Sequence, residues 1–137
     1  MSSAFDQYRQ TAIQTAPPEQ LVVMLYDGAI RFLEQAKVGL QEGKDVSEAL
    51  GRAQDIIVEL ASSLNRGAGE VAENLARLYD FWIQWLLQAQ IRRDTSKIDE
   101  VLGMVRDLRD AWATIAMQQR KAATAAGAAS VALNTRG

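Results

Sequence analysis

The sequence predicts an all-α protein, specifically an antiparallel up-down-up-down four-helix bundle. Four stretches repeat apolar residues at the period of an amphipathic helix. The short connections between these stretches contain glycine or small polar residues, which favours antiparallel neighbours. No stretch alternates polar and apolar residues between turn signals, so no strand is predicted. The chain has 137 residues, 48% apolar and 23% charged, which is typical of one soluble domain.

The first predicted helix follows Pro17 and Pro18 and is apolar on more than one side. Proline suits the first turn of a helix, where its missing N–H has no intrahelical partner. We assign the core stripe of this helix to Leu21, Met24, Leu25, Gly28, Ala29, Phe32 and Ala36. An adjoining flank contains Val23, Tyr26, Ile30 and Leu33. The periodicity leaves open whether this flank faces a second core neighbour or a binding partner.

The next two helices follow turns that contain glycine. The stripe of the second consists of Val46, Ala49, Leu50, Ala53, Ile56, Ile57, Leu60 and Leu64. The stripe of the third consists of Val71, Leu75, Leu78, Tyr79, Trp82, Trp85, Leu86 and Ala89. A second apolar row on the third helix, Ile83, Leu87 and Ile91, predicts a flank that serves another partner.

The fourth helix begins after a cluster of capping residues. Asp94, Thr95 or Ser96 can accept a hydrogen bond from the free N–H groups of its first turn. Its stripe consists of Ile98, Val101, Leu102, Val105, Leu108, Trp112, Ile115 and Ala116. We expect this helix to fray near Gln118, because only small and polar residues follow with few larger apolar ones.

These elements divide a single domain, residues 1–137, into three parts. We expect residues 1–16 to form a short N-terminal arm or cap helix, residues 17–118 the bundle, and residues 119–137 a mobile Ala-rich tail. The arm contains Phe5, Tyr8 and Ile13 but is too short to be stable as an isolated helix. We expect these three side chains to dock on the bundle or to bind a partner.

The residue types that are missing argue against catalysis. The sequence contains no cysteine and no histidine, so it lacks a thiolate nucleophile, the commonest metal ligand and the commonest general base at neutral pH. The Glu-x-x-His pairs of di-iron helix bundles cannot occur, and no Gly-x-x-x-x-Gly-Lys loop is present to hold phosphate. We therefore expect no enzyme, no metal site and no cofactor.

Charge and hydropathy limit the partners and the location. A formal net charge of -2 gives no electrostatic reason to bind nucleic acid. No apolar run approaches the roughly 18–20 residues that a membrane span needs, and no secretory signal pattern opens the chain. We expect a cytoplasmic protein that neither inserts into a membrane nor binds nucleic acid.

Several short motifs together carry a family resemblance. They are YRQTAIQTA at residues 8–16, PEQL at 18–21, MLYDG at 24–28, AQDII at 53–57, SLN at 63–65, LYDF at 78–81, AQI at 89–91 and RDAW at 109–112. In order and spacing they resemble the FliS family of flagellar export chaperones over most of residues 5–117. The resemblance implies a small cytoplasmic four-helix bundle that binds the C-terminal segment of flagellin, prevents its premature polymerisation and delivers it to the flagellar type III export apparatus.

The resemblance also implies a set of partners and contacts. The flagellin segment is the expected client, the export gate membrane protein is a second partner, and the chaperone is a monomer or weak homodimer. The expected partner-binding residues are Phe5, Tyr8, Ile13, Val23, Tyr26, Ile30, Ile57, Leu60, Leu64, Tyr79, Ile83 and Leu87. The alternative from the residues alone is a structural helical homo-oligomer or adaptor protein whose apolar flanks meet without an unfolded client.

Two positions depart from the family pattern. The family commonly continues the third-helix motif with an aromatic residue and two arginines, whereas Phe81 here is followed by Trp82, Ile83, Gln84 and Trp85. The contact made by that basic pair therefore cannot be transferred to this chain. Pro17 also stands where the family has a Ser or Thr cap before the first helix.

Overall fold

A computed structural model, which describes residues 18–65 and 67–136, contains four α-helices. They are α1 (Pro18–Gln41), α2 (Ser47–Ser62), α3 (Glu70–Arg92) and α4 (Thr95–Arg136). The described part of the chain contains no strand. The predicted all-α four-helix bundle is confirmed. The predicted arm, with Phe5, Tyr8 and Ile13, lies outside the described residues, as does Pro17.

The turn between α1 and α2 is built from local hydrogen bonds. Gly43 has a φ of +72°, a left-handed conformation that favours glycine. The Lys44 N–H donates to the Gly39 carbonyl at 2.8 Å. The Asp45 carboxylate then accepts from the Ser47 N–H at 3.0 Å and from the Ser47 hydroxyl at 2.6 Å, so it satisfies a free N–H at the start of α2.

The turn between α3 and α4 uses a tertiary contact as well. Arg93 ends α3 in the left-handed conformation with a φ of 51°. Its guanidinium donates to the Lys44 carbonyl at 2.8 Å, which ties this turn to the turn between α1 and α2. Asp94 accepts from the Ser96 N–H at 3.0 Å, so Asp94 is the capping residue among the three candidates for α4.

The core contains the largest side chains where α1 and α3 meet. Trp82, Tyr26 and Tyr79 are fully buried. Their rings pack edge to face or tilted, with centroids 6.3 Å apart for Tyr26–Trp82 and 5.3 Å apart for Tyr79–Trp82. The Tyr26 and Tyr79 hydroxyls are 2.7 Å apart and hydrogen-bond to each other, which satisfies both polar groups inside an apolar core.

A row of ion pairs, which we call the α1–α4 seam, joins α1 to α4. Early residues of α1 contact late residues of α4 and late residues contact early ones, so the two helices run antiparallel. Asp27 pairs with Arg109 at 2.8 Å, and Lys37 pairs with Asp99 at 2.7 Å. Between them Glu34 pairs with Arg106.

The rotation of α1 differs from the one we predicted. Val23, Tyr26 and Leu33, which we assigned to a flank, are buried. Met24 and Phe32, assigned to the core stripe, are only partly buried. Gly28, Ala29 and Ala36 of the predicted stripe are buried, so the prediction was wrong only for part of the helix. Both arcs of α1 are apolar, and the choice between them depends on contacts with α3 and α4.

The fourth helix extends beyond its predicted end. We expected α4 to fray near Gln118, but it continues to Arg136, and residues 117–128 are exposed. The high helix propensity of alanine is consistent with this continuation. The mobility of the extension stays a prediction. None of the helices in the described part of the chain carries an apolar stretch of the length that crossing a membrane requires.

Candidate functional site

A largely apolar groove lies open between α1 and α2 and has a volume of about 430 Å³. We call it the α1–α2 groove. Its apolar wall comes from the partly buried arc of α1 that faces α2 and from one residue of α2. The lining residues are Leu21, Met24, Leu25, Gly28, Arg31, Phe32, Arg52, Ile56 and Glu59. On α1 the groove spans about 16 Å, or three helical turns, since each helical residue adds about 1.5 Å.

Gly28 shapes the middle of the groove. A Cβ built on Gly28 would lie 3.1 Å from Ile56 Cδ1, closer than ordinary van der Waals contact. Glycine therefore lets the Ile56 side chain lie against the backbone of α1. Because Ile56 also packs against the buried core, this contact connects the floor of the groove to the interior.

One end of the groove is basic. The Arg31 guanidinium on α1 and the Arg52 guanidinium on α2 lie 5.2 Å and 5.9 Å from the centroid of the Phe32 ring. Both distances are within the range of a cation–π interaction. Glu59 lies two turns from Arg52 on the same wall, so the groove has a basic end and an acidic end with apolar residues between them.

The α1–α4 seam has the opposite character. Its three ion pairs join the two helices and cover the apolar residues between them. The hydrogen bond and charge of Asp27 raise the pKa of Arg109 above its ordinary value. In contrast, no ion pair connects α1 to α2 among residues 18–65. Of these two surfaces, the α1–α2 groove is therefore the one open to an apolar segment.

Further exposed apolar side chains lie on α2 and α3. Val58 is 51% exposed, Leu87 47% and Ile91 67%. Ile83, which belongs to the same row as Leu87 and Ile91, is half-buried and packs against the core. We call Ile83, Leu87 and Ile91 the α3 flank. The prediction that α3 presents a second apolar row is confirmed for Leu87 and Ile91.

A stacked aromatic pair lies where the sequence departs from the family pattern. The Phe81 and Trp85 rings stack with centroids 5.2 Å apart. The Trp85 indole N–H donates to the Glu100 carboxylate at 2.6 Å, and the Lys97 ammonium lies 3.5 Å from the Trp85 ring centroid. Two charged side chains of α4 therefore hold Trp85 against the α3–α4 surface.

The structure divides the predicted partner-binding residues into three groups. Several are buried in the core of this structure, and a role in binding stays a prediction for them: Val23, Tyr26, Ile57, Leu60 and Tyr79. Others are half-buried or exposed and remain candidates: Ile30, Leu64, Ile83 and Leu87. The arm residues lie outside the described part of the chain: Phe5, Tyr8 and Ile13.

The sequence reasoning missed the α1–α2 groove because it assigned these residues to the core. A signal for the correct rotation was present in the charges. Asp27 and Glu34 lie seven residues apart on one side of α1, and Arg106 and Arg109 lie three apart on α4. If the two acidic side chains pair with the two arginines, α1 must be rotated so that Tyr26 points into the core. The other apolar arc of α1 then faces α2 and solvent.

The chemistry of the groove suits binding. Its side chains are apolar except for two guanidinium groups and one carboxylate. Within the described residues, no three histidine, cysteine or acidic side chains are grouped to hold a metal ion. Burial is the main cause that raises the pKa of Tyr26 and of Tyr79. Both side chains lie in the core, away from the groove.

Comparison with known proteins identifies a family. A family model described as Flagellar protein FliS matches residues 1–119. The Flagellar secretion chaperone FliS of Bacillus subtilis is 36% identical over 124 residues, which cover 88% of this chain and 92% of that protein. The protein of the same name from Salmonella typhimurium is 41% identical over 110 residues, 77% of this chain and 82% of the relative. The Vibrio cholerae protein of this name is 34% identical over 119 residues, which cover 82% of this chain and 88% of that protein.

Proposed function

Since this chain belongs to the FliS family of flagellar secretion chaperones, we propose that it binds the C-terminal segment of flagellin in the cytoplasm, with the α1–α2 groove as a docking surface. The observation that carries the proposal is the difference between two surfaces of α1. One is closed by ion pairs to α4, and the other is an open apolar groove. An exposed apolar groove on a soluble bundle is typical of a binding site.

The dimensions of the groove suit a short amphipathic helix. Three turns of α1 offer apolar contacts to residues of a client helix at positions i, i+3 or i+4, and i+7. A disordered client must lose conformational freedom when it folds on this surface, at a cost of about 2–5 kcal/mol or more. At roughly 25 cal/mol per Å² of buried apolar area, about 200 Å² offsets the upper figure of that range.

A single groove is too short to cover a long client. The α3 flank, with Leu87 and Ile91 exposed, offers a second apolar surface on another side of the bundle. A flexible segment that binds both surfaces gains affinity because the second contact becomes intramolecular. We propose that the client wraps from the α1–α2 groove towards the α3 flank.

Covering this segment would serve export in two ways. An amphipathic client helix held in the groove cannot use the same apolar face to assemble with other flagellin molecules. Many modest contacts would also permit release when the complex reaches the export gate of the type III apparatus. Support for the gate as a partner comes from the family resemblance alone.

Met24 gives the cleanest test of the groove. Its side chain lines the groove and is not among those packed against the buried core, so Met24→Glu should leave the fold intact. We expect Met24→Glu to weaken binding of a labelled C-terminal flagellin segment from the same bacterium by about tenfold or more, equal to about 1.4 kcal/mol.

Val38→Glu is the matched control. Val38 lies on the same helix, is 49% exposed and is outside the groove lining. It should bind the segment like the wild type in fluorescence anisotropy, with circular dichroism used to check the helical content of both variants. Equal affinities for Met24→Glu and the wild type would remove the α1–α2 groove from the binding surface. Sedimentation without client tests the alternative, because a structural homo-oligomer would form a tight assembly under the same conditions.

A further inference from the structure

Resting on the proposed function, we propose that Arg31 and Arg52 bind a carboxylate side chain of the client and so fix the direction in which its helix lies in the α1–α2 groove. The acidic end of the client helix would lie over Phe32. A basic residue at its other end would lie near Glu59. The chemistry recognised is an amphipathic helix with opposite charges at its two ends.

The geometry of the two arginines carries this inference. They come from opposite walls of the groove, yet both guanidinium groups lie within 5.9 Å of the same Phe32 ring centroid. Contact with the ring restrains both groups, so less side-chain entropy is lost when a ligand binds. A planar guanidinium can also donate two parallel hydrogen bonds to a carboxylate, which an ammonium group cannot do.

Among the residues that the structure describes, neither arginine is held in a buried ion pair, although carboxylates line the adjoining pockets: Glu34, Glu42 and Asp45 beside Arg31, and Asp45 and Glu48 beside Arg52. Within the described part of the chain, Arg31 takes part in no ion pair. Arg52 lies 3.5 Å from Glu48, but the two side chains are 59% and 83% exposed, and such a pair contributes little to stability. A client carboxylate can therefore replace Glu48 at small cost and meet two positive charges at once.

The distribution of charge along the groove gives direction. On α2, Arg52, Ile56 and Glu59 follow one another along the groove wall, and the two charges are about 10 Å apart along the helix axis. On α1, Arg31 lies at the same end as Arg52, since the α1 residues near Glu59 are apolar. A client helix in the reverse direction would place like charges together, and such mismatches penalise the wrong orientation.

The test uses a labelled C-terminal flagellin segment from the same bacterium and measures affinity by fluorescence anisotropy at low and high salt. The test variant is Arg31→Gln/Arg52→Gln. The control is Arg77→Gln/Arg92→Gln, which removes the same charge from exposed positions on α3. We expect about a tenfold loss of affinity at low salt for the test variant, less than about twofold for the control, and a smaller salt dependence in the test variant.

A scan of the client then identifies the carboxylate. Each Asp or Glu of the segment is replaced in turn by its amide. At one position the replacement should weaken binding to the wild type about three- to fivefold and have no effect on the test variant. Changing that residue to Lys should weaken binding to the wild type and restore it in Arg52→Glu.

The outcomes separate the two proposals. If the segment binds the wild type and the test variant equally, or if no acidic position shows coupling to the arginines, the directional reading is wrong and the docking surface stands. If the segment binds the wild type and the Met24→Glu variant equally, the α1–α2 groove is not the docking surface and both proposals fail. Loss of binding in the test variant with coupling at one acidic position supports the inference.

Discussion

The buried hydrogen bond between Tyr26 and Tyr79 provides a quantitative test of the core. The two hydroxyl oxygens lie 2.7 Å apart, and neither side chain is more than 1% exposed. Tyr26→Phe keeps the ring that packs against Trp82 but leaves the Tyr79 hydroxyl without this partner. Because an unsatisfied buried polar group costs about 1–3 kcal/mol, we expect Tyr26→Phe to lower the free energy of unfolding by that amount.

The double variant separates the hydrogen bond from the packing. Tyr79→Phe should cost a similar amount, because it takes this partner away from the Tyr26 hydroxyl. Tyr26→Phe/Tyr79→Phe buries no unpaired hydroxyl and keeps both rings, so we expect it to lose less than about 1 kcal/mol. The cost of the double variant should therefore fall below the sum of the single costs by at least about 1 kcal/mol.

Urea unfolding of the four proteins, followed by circular dichroism and tryptophan fluorescence, measures these differences. Equal slopes of free energy against urea would show that the compared states expose the same surface. If the double variant loses as much stability as the two single variants combined, the hydroxyls are not bonded to each other. If Tyr26→Phe leaves stability unchanged and weakens client binding, Tyr26 contacts the client and its placement in the core is wrong.

Three further predictions concern stability. Trp82→Ala should lower the free energy of unfolding by about 3–5 kcal/mol in urea, because Trp82 is fully buried, whereas Phe81→Ala on the exposed side of α3 should cost clearly less. Burial raises the pKa of Tyr26 and Tyr79, so the unfolded chain loses these protons at a lower pH than the folded protein does. The free energy of unfolding should therefore fall as the pH rises above about 10. Urea unfolding across that pH range should show a smaller decrease in the free energy of unfolding for Tyr26→Phe/Tyr79→Phe than for the wild type. An identical decrease would mean that other groups cause it. Arg109→Gln should cost less than about 1 kcal/mol, and less still at high salt, because its ion pair is solvent-exposed; a loss well above this would indicate that the α1–α4 seam is strongly coupled.

Local features of the sequence determined the helices and most of their ends. Proline opened α1, Asp94 capped α4, and the stripes of α2, α3 and α4 supplied most of the buried residues. These features act within a few residues of the chain, through backbone hydrogen bonds and apolar periodicity, so they can be predicted without knowing the partners. The end of α4 was placed too early because the residues after Gln118 have high helix propensity but no apolar stripe.

The tertiary structure alone decided which side of α1 faces inward. Apolar burial has no direction, so Leu25 or Phe32 could have filled the core as well as Tyr26 or Leu33 on hydrophobicity alone. The choice depends on groups far away in sequence: the Tyr79 hydroxyl meets Tyr26, and arginines of α4 meet the acidic side chains of α1. A wrong rotation would leave the buried Tyr79 hydroxyl without Tyr26 and would separate the exposed ion pairs. The cost of the unpaired buried hydroxyl is the larger of the two and favours the arc with Tyr26 in the core, which leaves the other arc to line the groove.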